Sequence, residues 1–330
     1  MQSSAPCGRA PEALLTFSRC IASDRSRVRS GPVTRAASTA GAQPRLRVVL
    51  YHHISARGSS LVDGLGVSTP PDVFESHVRR MARDYELVSL DEVLAGELPR
   101  RALLITFDDG YRSVVEIALP ILQRLGIPSL FFVTGAFLER DSLPLDNLLS
   151  HSCATVGVDR LAAAIDPNLS GGVTFPHLLN LIAAMPYGRR RALGDEVAER
   201  FELDQSRLRS ESRMFLDSDD LAGLAAYRCE VANHTRTHLF CRSIVDEASA
   251  HDELVQHARR LESLTGHAVR AFSYPYGYRA DAIPMVERVL RESGQQVSFL
   301  AESRPHLMGA FGRLWNRVPL DGCPAWRIGA

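Results

Sequence analysis

The chain has 330 residues, enough for one large α/β barrel or two smaller domains, and its 45% hydrophobic and 23% charged composition is that of ordinary globular proteins. Its 38 Lys and Arg balance 38 Asp and Glu, which gives no support to a nucleic-acid-binding or polybasic membrane role. No apolar run approaches the roughly 20 residues that a membrane helix needs.

Residues 1–44 are rich in Ser, Arg and Ala and poor in acids. Their best apolar stretch, "PEALLTF", is too short and too acidic to be the core of a secretory signal. The segment reads as a disordered tail or a start codon placed too early, with an Arg/Ser-type targeting peptide as the alternative. A cytoplasmic protein is therefore favoured, with export left open. Cys7, Cys20, Cys153, Cys229, Cys241 and Cys323 form no CxxC pair. A chain of this length needs no disulfide staples, so mostly free thiols are expected, although the even number leaves pairing open.

From Arg45 strands and helices alternate. "LRVVLYH" reads as a strand, and "PDVFESHVRRMARD" as a helix with apolar residues at Val73, Phe74, Val78 and Met81. "YELVSL" is a short strand, "LDEVLAGE" a short helix and "RALLITF" a buried strand. "YRSVVEIALPILQRLG" is a helix stopped by Gly126, and "PSLFFVTG" the next strand. Such alternation predicts a parallel sheet or barrel. Between about residues 139 and 216 helical stretches follow one another without clear strands, which reads as a helical insertion on a barrel loop. "DSDDLAGLAAY" then begins a helix with Asp at its cap, "RCEVANH" is a strand, and "VDEASAHDELVQHARRLESLTG" a long helix. "VRAFSYP" is a strand, "ADAIPMVERVLRESG" a helix and "QQVSFLA" the last clear strand.

The chemically capable side chains follow strands. "ALLITF" runs into Asp108, Asp109 and Gly110; "CEVAN" into His234 and His238; "AFSY" into Pro275, Tyr276 and Gly277. Alone, each is bland: Asp-Asp-Gly and Pro-Tyr-Gly are common turns, and two histidines four apart are unremarkable among eleven. Their joint placement changes the balance, because the C-terminal strand ends of a parallel barrel form one face. One carboxylate with two imidazoles is a set suited to a catalytic zinc with an open position, and leaves the second carboxylate free to act as a base.

"TFDDG" (106–110), "NHTRTH" (233–238) and "SYPYG" (273–277) resemble, in order and spacing, the signature motifs of the polysaccharide deacetylases, the NodB-homology domain of carbohydrate esterase family four. The resemblance covers about residues 45–319. It implies an α/β fold, a distorted (β/α)7 TIM-like barrel of the NodB type with a helical insertion, preceded by the tail at 1–44. It also implies metal-dependent hydrolysis of an N-acetyl group on an amino sugar of a polysaccharide, oligosaccharide or glycolipid. In that reading Asp108 is the general base and Asp109, His234 and His238 hold a divalent ion, most simply Zn2+, with Co2+, Ni2+ or Mn2+ as alternatives. Tyr276, following Pro275, supplies a backbone N–H to the oxyanion.

Two departures stand out. Many members carry Arg where Ser273 stands, and Arg317 in "NRVPL" is one candidate to replace it. The C-terminal LxH motif, whose His is the general acid in much of the family, is absent, and His306 in "SRPHLM" lacks its context. Leu50-Tyr51-His52 is itself an LxH, as in circularly permuted members. Strand alternation groups Leu46, Val48, Leu50 and His52 on one face, and Arg47 is ill suited to a barrel interior. His52 is thus expected at the barrel mouth as the acid, with His53 on the outer side or in a loop contact. The competing readings are an O-acetyl esterase or small-molecule amidase using the same site, and an inactive carbohydrate-binding module that kept the barrel.

Overall fold

The strand–helix alternation folds into a parallel barrel. The structure is a computed structural model and describes residues 45–169, 171–302 and 314–323. The tail at 1–44, with Cys7 and Cys20, and His306 lie outside the described residues. The strands are β1 (Arg45–Tyr51), β2 (His53–Ile54), β3 (Ser68–Thr69), β4 (Glu86–Leu87), β5 (Arg101–Phe107), β6 (Ser129–Val133), β7 (Cys229–Asn233), β8 (Ala271–Ser273), β9 (Val297–Leu300), β10 (Leu314–Asn316) and β11 (Val318–Pro319). The main sheet runs β10-β9-β8-β7-β6-β5-β1-β11, and β4 pairs with β5 outside this path. Every pairing is parallel. The path begins and ends on strands separated only by Arg317. Residues 314–319 therefore act as one interrupted stave that pairs β9 with its first half and β1 with its second, and the barrel is nearly closed.

The β1 alternation is as expected. Leu46 and Val48 pack inside the barrel with Leu104, Leu130, Phe132, Ala232 and Phe299. Val49 and Tyr51 face outward, against Phe74, Val78 and Met81 of the helix Pro71–Asp84. Burying each large apolar side chain contributes roughly 1.5–3 kcal/mol, so a one-residue slip of β1 would be costly. Arg47 lies on the outer face with its guanidinium 5.6 Å from the Tyr85 ring centroid.

Two expected helices are less regular than their sequences suggest. The 112–126 segment opens with a π-helical turn at Val114–Ala118 before Leu119–Arg124, and the long helix after β7 has a π-helical stretch at His251–Gln256. Between β6 and β7 lies the helical insertion, with helices Leu145–Val156, Val158–Ile165, Phe175–Ala183, Tyr187–Arg200 and Gln205–Ser212. Its core of Leu148, Leu149, Leu161, Leu178, Ile182 and Val197 is continuous with Tyr111 and Phe137 of the barrel loops. A bridge between Tyr111 and Phe215 pins the end of the insertion beside the Asp-Asp-Gly turn. Among the described residues Cys229 and Cys241 are buried free thiols. Among the described residues no helix is long and apolar enough to cross a membrane.

Candidate active site

The register places the tops of the strands side by side. β1 pairs β5 through Tyr51 and Phe107, and the Asp108 N–H donates to the Tyr51 carbonyl at 3.0 Å, so His52 and Asp108 leave neighbouring strands together. The chain then turns sharply. Asp109 adopts φ 78° and Gly110 φ 148°. A Cβ on Gly110 would stand 2.6 Å from the Phe137 Cβ, so only glycine fits.

The turn gives two adjacent carboxylates opposite surroundings. Asp108, 2% exposed, is clamped by the fully buried Arg317, whose two terminal nitrogens each donate to one carboxylate oxygen at 2.6 Å. This bidentate fork matches the carboxylate plane. Ser273 accepts from the same guanidinium at 2.6 Å, and the Arg317 Nε donates to the Leu300 carbonyl at 3.1 Å. Burial alone would raise the Asp108 carboxyl, but the charge and hydrogen bonds of Arg317, together with His234 and His52, outweigh it and hold it at about 2. The position where much of the family has Arg is thus filled by a short hydroxyl, and the guanidinium arrives from the closing stave. Asp109 is also buried, yet its Oδ1 has no hydrogen-bond partner among the described residues. Burial raises its pKa above the ordinary value.

That orphaned oxygen faces two imidazoles. It lies 3.6 Å from His234 Nε2 and 3.4 Å from His238 Nε2, and the three donor atoms lie within 4.8 Å of one another. Tetrahedral ligands each about 2.1 Å from a zinc ion stand roughly 3.4 Å apart, so the set fits a divalent ion. His234 donates from Nδ1 to the Ser273 carbonyl at 2.8 Å, which leaves Nε2 as the lone-pair nitrogen, and burial lowers its pKa to about 3. The neutral imidazole is the form a metal takes. The loop between the two histidines is held by buried Glu253, which accepts from the Arg236 and Thr237 N–H groups at 3.0 and 2.9 Å and from the Thr237 hydroxyl at 2.8 Å.

His238 is fixed differently. Its Nδ1 is 2.8 Å from Oδ2 of Asp146, the second residue of the first insertion helix. The same oxygen accepts from the Tyr276 hydroxyl at 2.8 Å. Arg190, 3% exposed and also from the insertion, donates to the His238 carbonyl at 2.6 Å and reaches Asp146 at 3.4 Å. Burial would raise the Asp146 carboxyl; the His238 hydrogen bond and the Arg190 charge hold it at about 2. For His238 burial opposes the cation, but Asp109 and Asp146 outweigh it and its pKa is raised. Pro275 is buried, and Tyr276 adopts φ 60°. The following Gly277 leaves no room for a Cβ, which would stand 2.3 Å from that of Ala301. Seven described non-glycine residues have left-handed backbones; Asp109, Thr235, His238 and Tyr276 are four of them, a concentration of strain typical of functional sites.

His52 stands beside these groups. Its Nδ1 is 2.6 Å from Oδ2 of Asp321, and its backbone N–H donates to Oδ1 at 3.2 Å. Thr69 also donates to Oδ1, at 3.2 Å. Burial lowers the pKa of His52, but Asp321, with smaller contributions from Asp109 and Asp108, more than reverses this and lifts it to about 9. His53 points elsewhere. It bonds Ser68 Oγ at 2.9 Å, packs against the Tyr111 ring and is pushed down to about 4 by burial. The residues singled out in the sequence, Asp108, Asp109, His234, His238, Pro275, Tyr276 and His52, therefore converge at one barrel mouth. Asp146, Arg190 and Asp321 were missed, and nothing in "PLDN", "GRRR" or "PLDG" marks them.

The molecule is thus a nearly closed parallel α/β barrel with two adjacent carboxylates and three imidazoles at its mouth. The chain belongs to the polysaccharide deacetylase family, whose profile matches residues 95–296. Solved structures share the fold at low identity. A Streptococcus pyogenes deacetylase, PplD, in complex with acetate is 13% identical with a TM-score of 0.54, covering 83% of this chain and 91% of that one. IcaB from Ammonifex degensii is 19% identical with a TM-score of 0.51, over 83% and 91%. A de-N-acetylase from Aggregatibacter actinomycetemcomitans is 15% identical with a TM-score of 0.51, over 83% and 94%. No curated protein sequence matches the chain.

Proposed function

We propose that the protein is a metal-dependent hydrolase that removes N-acetyl groups from an amino sugar in a polysaccharide, oligosaccharide or glycolipid. The observation that carries this reading is the difference between adjacent carboxylates: Asp108 is clamped by Arg317, while the buried Asp109 Oδ1 has no hydrogen-bond partner among the described residues and faces two imidazole nitrogens. In this reading Asp109, His234 and His238 hold the ion. A divalent ion there supplies a Lewis acid that polarises the acetyl carbonyl and acidifies water.

The remaining steps belong to side chains. Asp108, kept ionised by Arg317, accepts a proton from the water that attacks the carbonyl carbon. The backbone N–H of Tyr276 donates to the oxygen on which negative charge develops. His52, held as an imidazolium by Asp321, gives its proton to the departing nitrogen as the C–N bond breaks, leaving acetate and a free amine. An amine leaves poorly without that proton, so a pre-charged acid favours amide over ester substrates. The Arg317 clamp also counts against an inactive binding module, which has no use for a saturated, ionised carboxylate beside a ligand set.

The test is acetate release from a panel of N-acetylated oligosaccharides and from an activated acetate ester, before and after chelation and after reloading with Zn2+. Metal-dependent release from the N-acetyl sugars is expected. Release from the ester alone would replace the reading with an O-acetyl esterase, and release indifferent to chelation would remove the metal from it.

A further inference from the structure

One carboxylate oxygen of the helical insertion holds two groups of the site at once. Asp146 Oδ2 accepts from His238 Nδ1 and from the Tyr276 hydroxyl, both at 2.8 Å. The two rings it joins are in contact, with centroids 4.7 Å apart. Both residues adopt left-handed backbones, a conformation that neither side chain favours and that outside contacts must hold. Arg190 reinforces the joint from behind by donating to the His238 carbonyl at 2.6 Å and balancing the Asp146 charge. It lies within 3.5 Å of the Tyr276 hydroxyl. Arg190 and Asp146 come from two different insertion helices, Tyr187–Arg200 and Leu145–Val156, so the joint exists only when the insertion is folded.

We propose that Asp146 is a positioning residue that sets a metal-binding imidazole and the oxyanion-facing turn together, which makes the insertion an integral part of the active centre. This rests on the reading of Asp109, His234 and His238 as ligands and of Tyr276 as the oxyanion residue. The Asp146 carboxylate fixes the Nδ1–H tautomer of His238, so Nε2 faces Asp109. Through the Tyr276 hydroxyl it also fixes the 275–277 turn.

The experiment compares wild type with Asp146→Ala, Asp146→Asn, Tyr276→Phe and, as a control on the underlying reading, Asp109→Ala. Each is measured for zinc affinity by competition with a chromophoric chelator, for the absorption spectrum of the Co2+-loaded protein, and for kcat and KM at saturating zinc. Circular dichroism sets the folded fraction. Asp146→Ala is expected to bind zinc about 10–100-fold more weakly, to alter the cobalt spectrum, and to lose kcat at saturating zinc with KM little changed. Asp146→Asn keeps an acceptor oxygen and should recover part of both losses. Tyr276→Phe, which leaves the buried charges in place, should keep zinc affinity and lose kcat. Unchanged zinc affinity, cobalt spectrum and kcat in the folded fractions of both Asp146 variants would overturn the proposal. So would Tyr276→Phe with wild-type kcat, even if the Asp146 variants failed to fold. Full metal retention by Asp109→Ala would instead overturn the ligand reading beneath it.

Discussion

The two sides of the barrel mouth are built from different parts of the chain. On one side the closing stave and the turn after it set the groups proposed to carry protons: Arg317 clamps Asp108, and Asp321 holds His52. On the other side the insertion sets His238 and Tyr276 through Asp146 and Arg190. Between them His234 is fixed by a backbone carbonyl of β8. The contrast shows one arrangement used twice. A residue just past a strand end is the one to which the proposed mechanism gives the chemistry, and a charged partner from a distant, unpatterned segment fixes its ionisation or its orientation.

Substitutions can break each side separately. The largest effect is expected at His238→Ala, which should lose most of the bound metal in elemental analysis and nearly all turnover with it; a full equivalent retained would remove His238 from the ligand set. Next comes Arg317→Met on the opposite side. It strands a buried carboxylate, so chemical denaturation should show a loss of roughly 3–5 kcal/mol, while metal content in the folded fraction stays at wild type. A stability loss under about 1 kcal/mol would mean that Asp108 finds another partner.

The His52 pair predicts a pH limb. In the proposed mechanism His52 donates as the imidazolium, so amide turnover should fall as pH rises through about 9. Asp321→Asn removes the group that lifts His52, and the limb should move to lower pH. The linked stability has the same sign. Because the folded pKa lies above the ordinary value, the pairing stabilises the fold fully below about pH 6.5 and ceases to do so as pH rises through about 9. An alkaline limb that stays in place in Asp321→Asn would show that another group donates the proton. The smallest effect is expected at His53→Ala, next in sequence but outside the cluster. It should cost stability in the roughly 0.5–3 kcal/mol range of single substitutions, and leave turnover at least half of wild type. A dead His53→Ala enzyme beside an active His52→Ala would reverse the assignment of the two faces.

The sequence made the barrel legible wherever packing imposes a period. The two-residue alternation of β1 separated Leu46 and Val48 from Arg47, Val49 and Tyr51, and so placed His52 and His53 on different sides. The last stave was missed because it is two short pieces, "LWN" and "VP", broken at Arg317 and containing Asn and Pro, which weaken any strand pattern. The groups in "TFDDG", "NHTRTH" and "SYPYG" were legible because each cluster is local, with donors fixed by a turn only a few residues long. Their partners were not, because Asp146 meets His238 across 92 residues and Asp321 meets His52 across 269. At that separation the pairing is a property of the fold, and an aspartate beginning a helix or following Pro-Leu looks like any cap or turn. Arg317 could be suggested only because the Ser at 273 left a carboxylate in want of a cation.

The division of roles between Asp108 and Asp109 is the centre of the account, and one paired measurement addresses it: zinc content and acetate release from an N-acetylated oligosaccharide for Asp108→Asn and Asp109→Asn. Asp108→Asn is predicted to carry a full equivalent of zinc with turnover reduced by roughly 100- to 10,000-fold, the loss typical of a missing general base. Asp109→Asn is predicted to lose most of its zinc. Near-normal turnover in Asp108→Asn, or zinc lost from Asp108→Asn and kept by Asp109→Asn, would contradict the account.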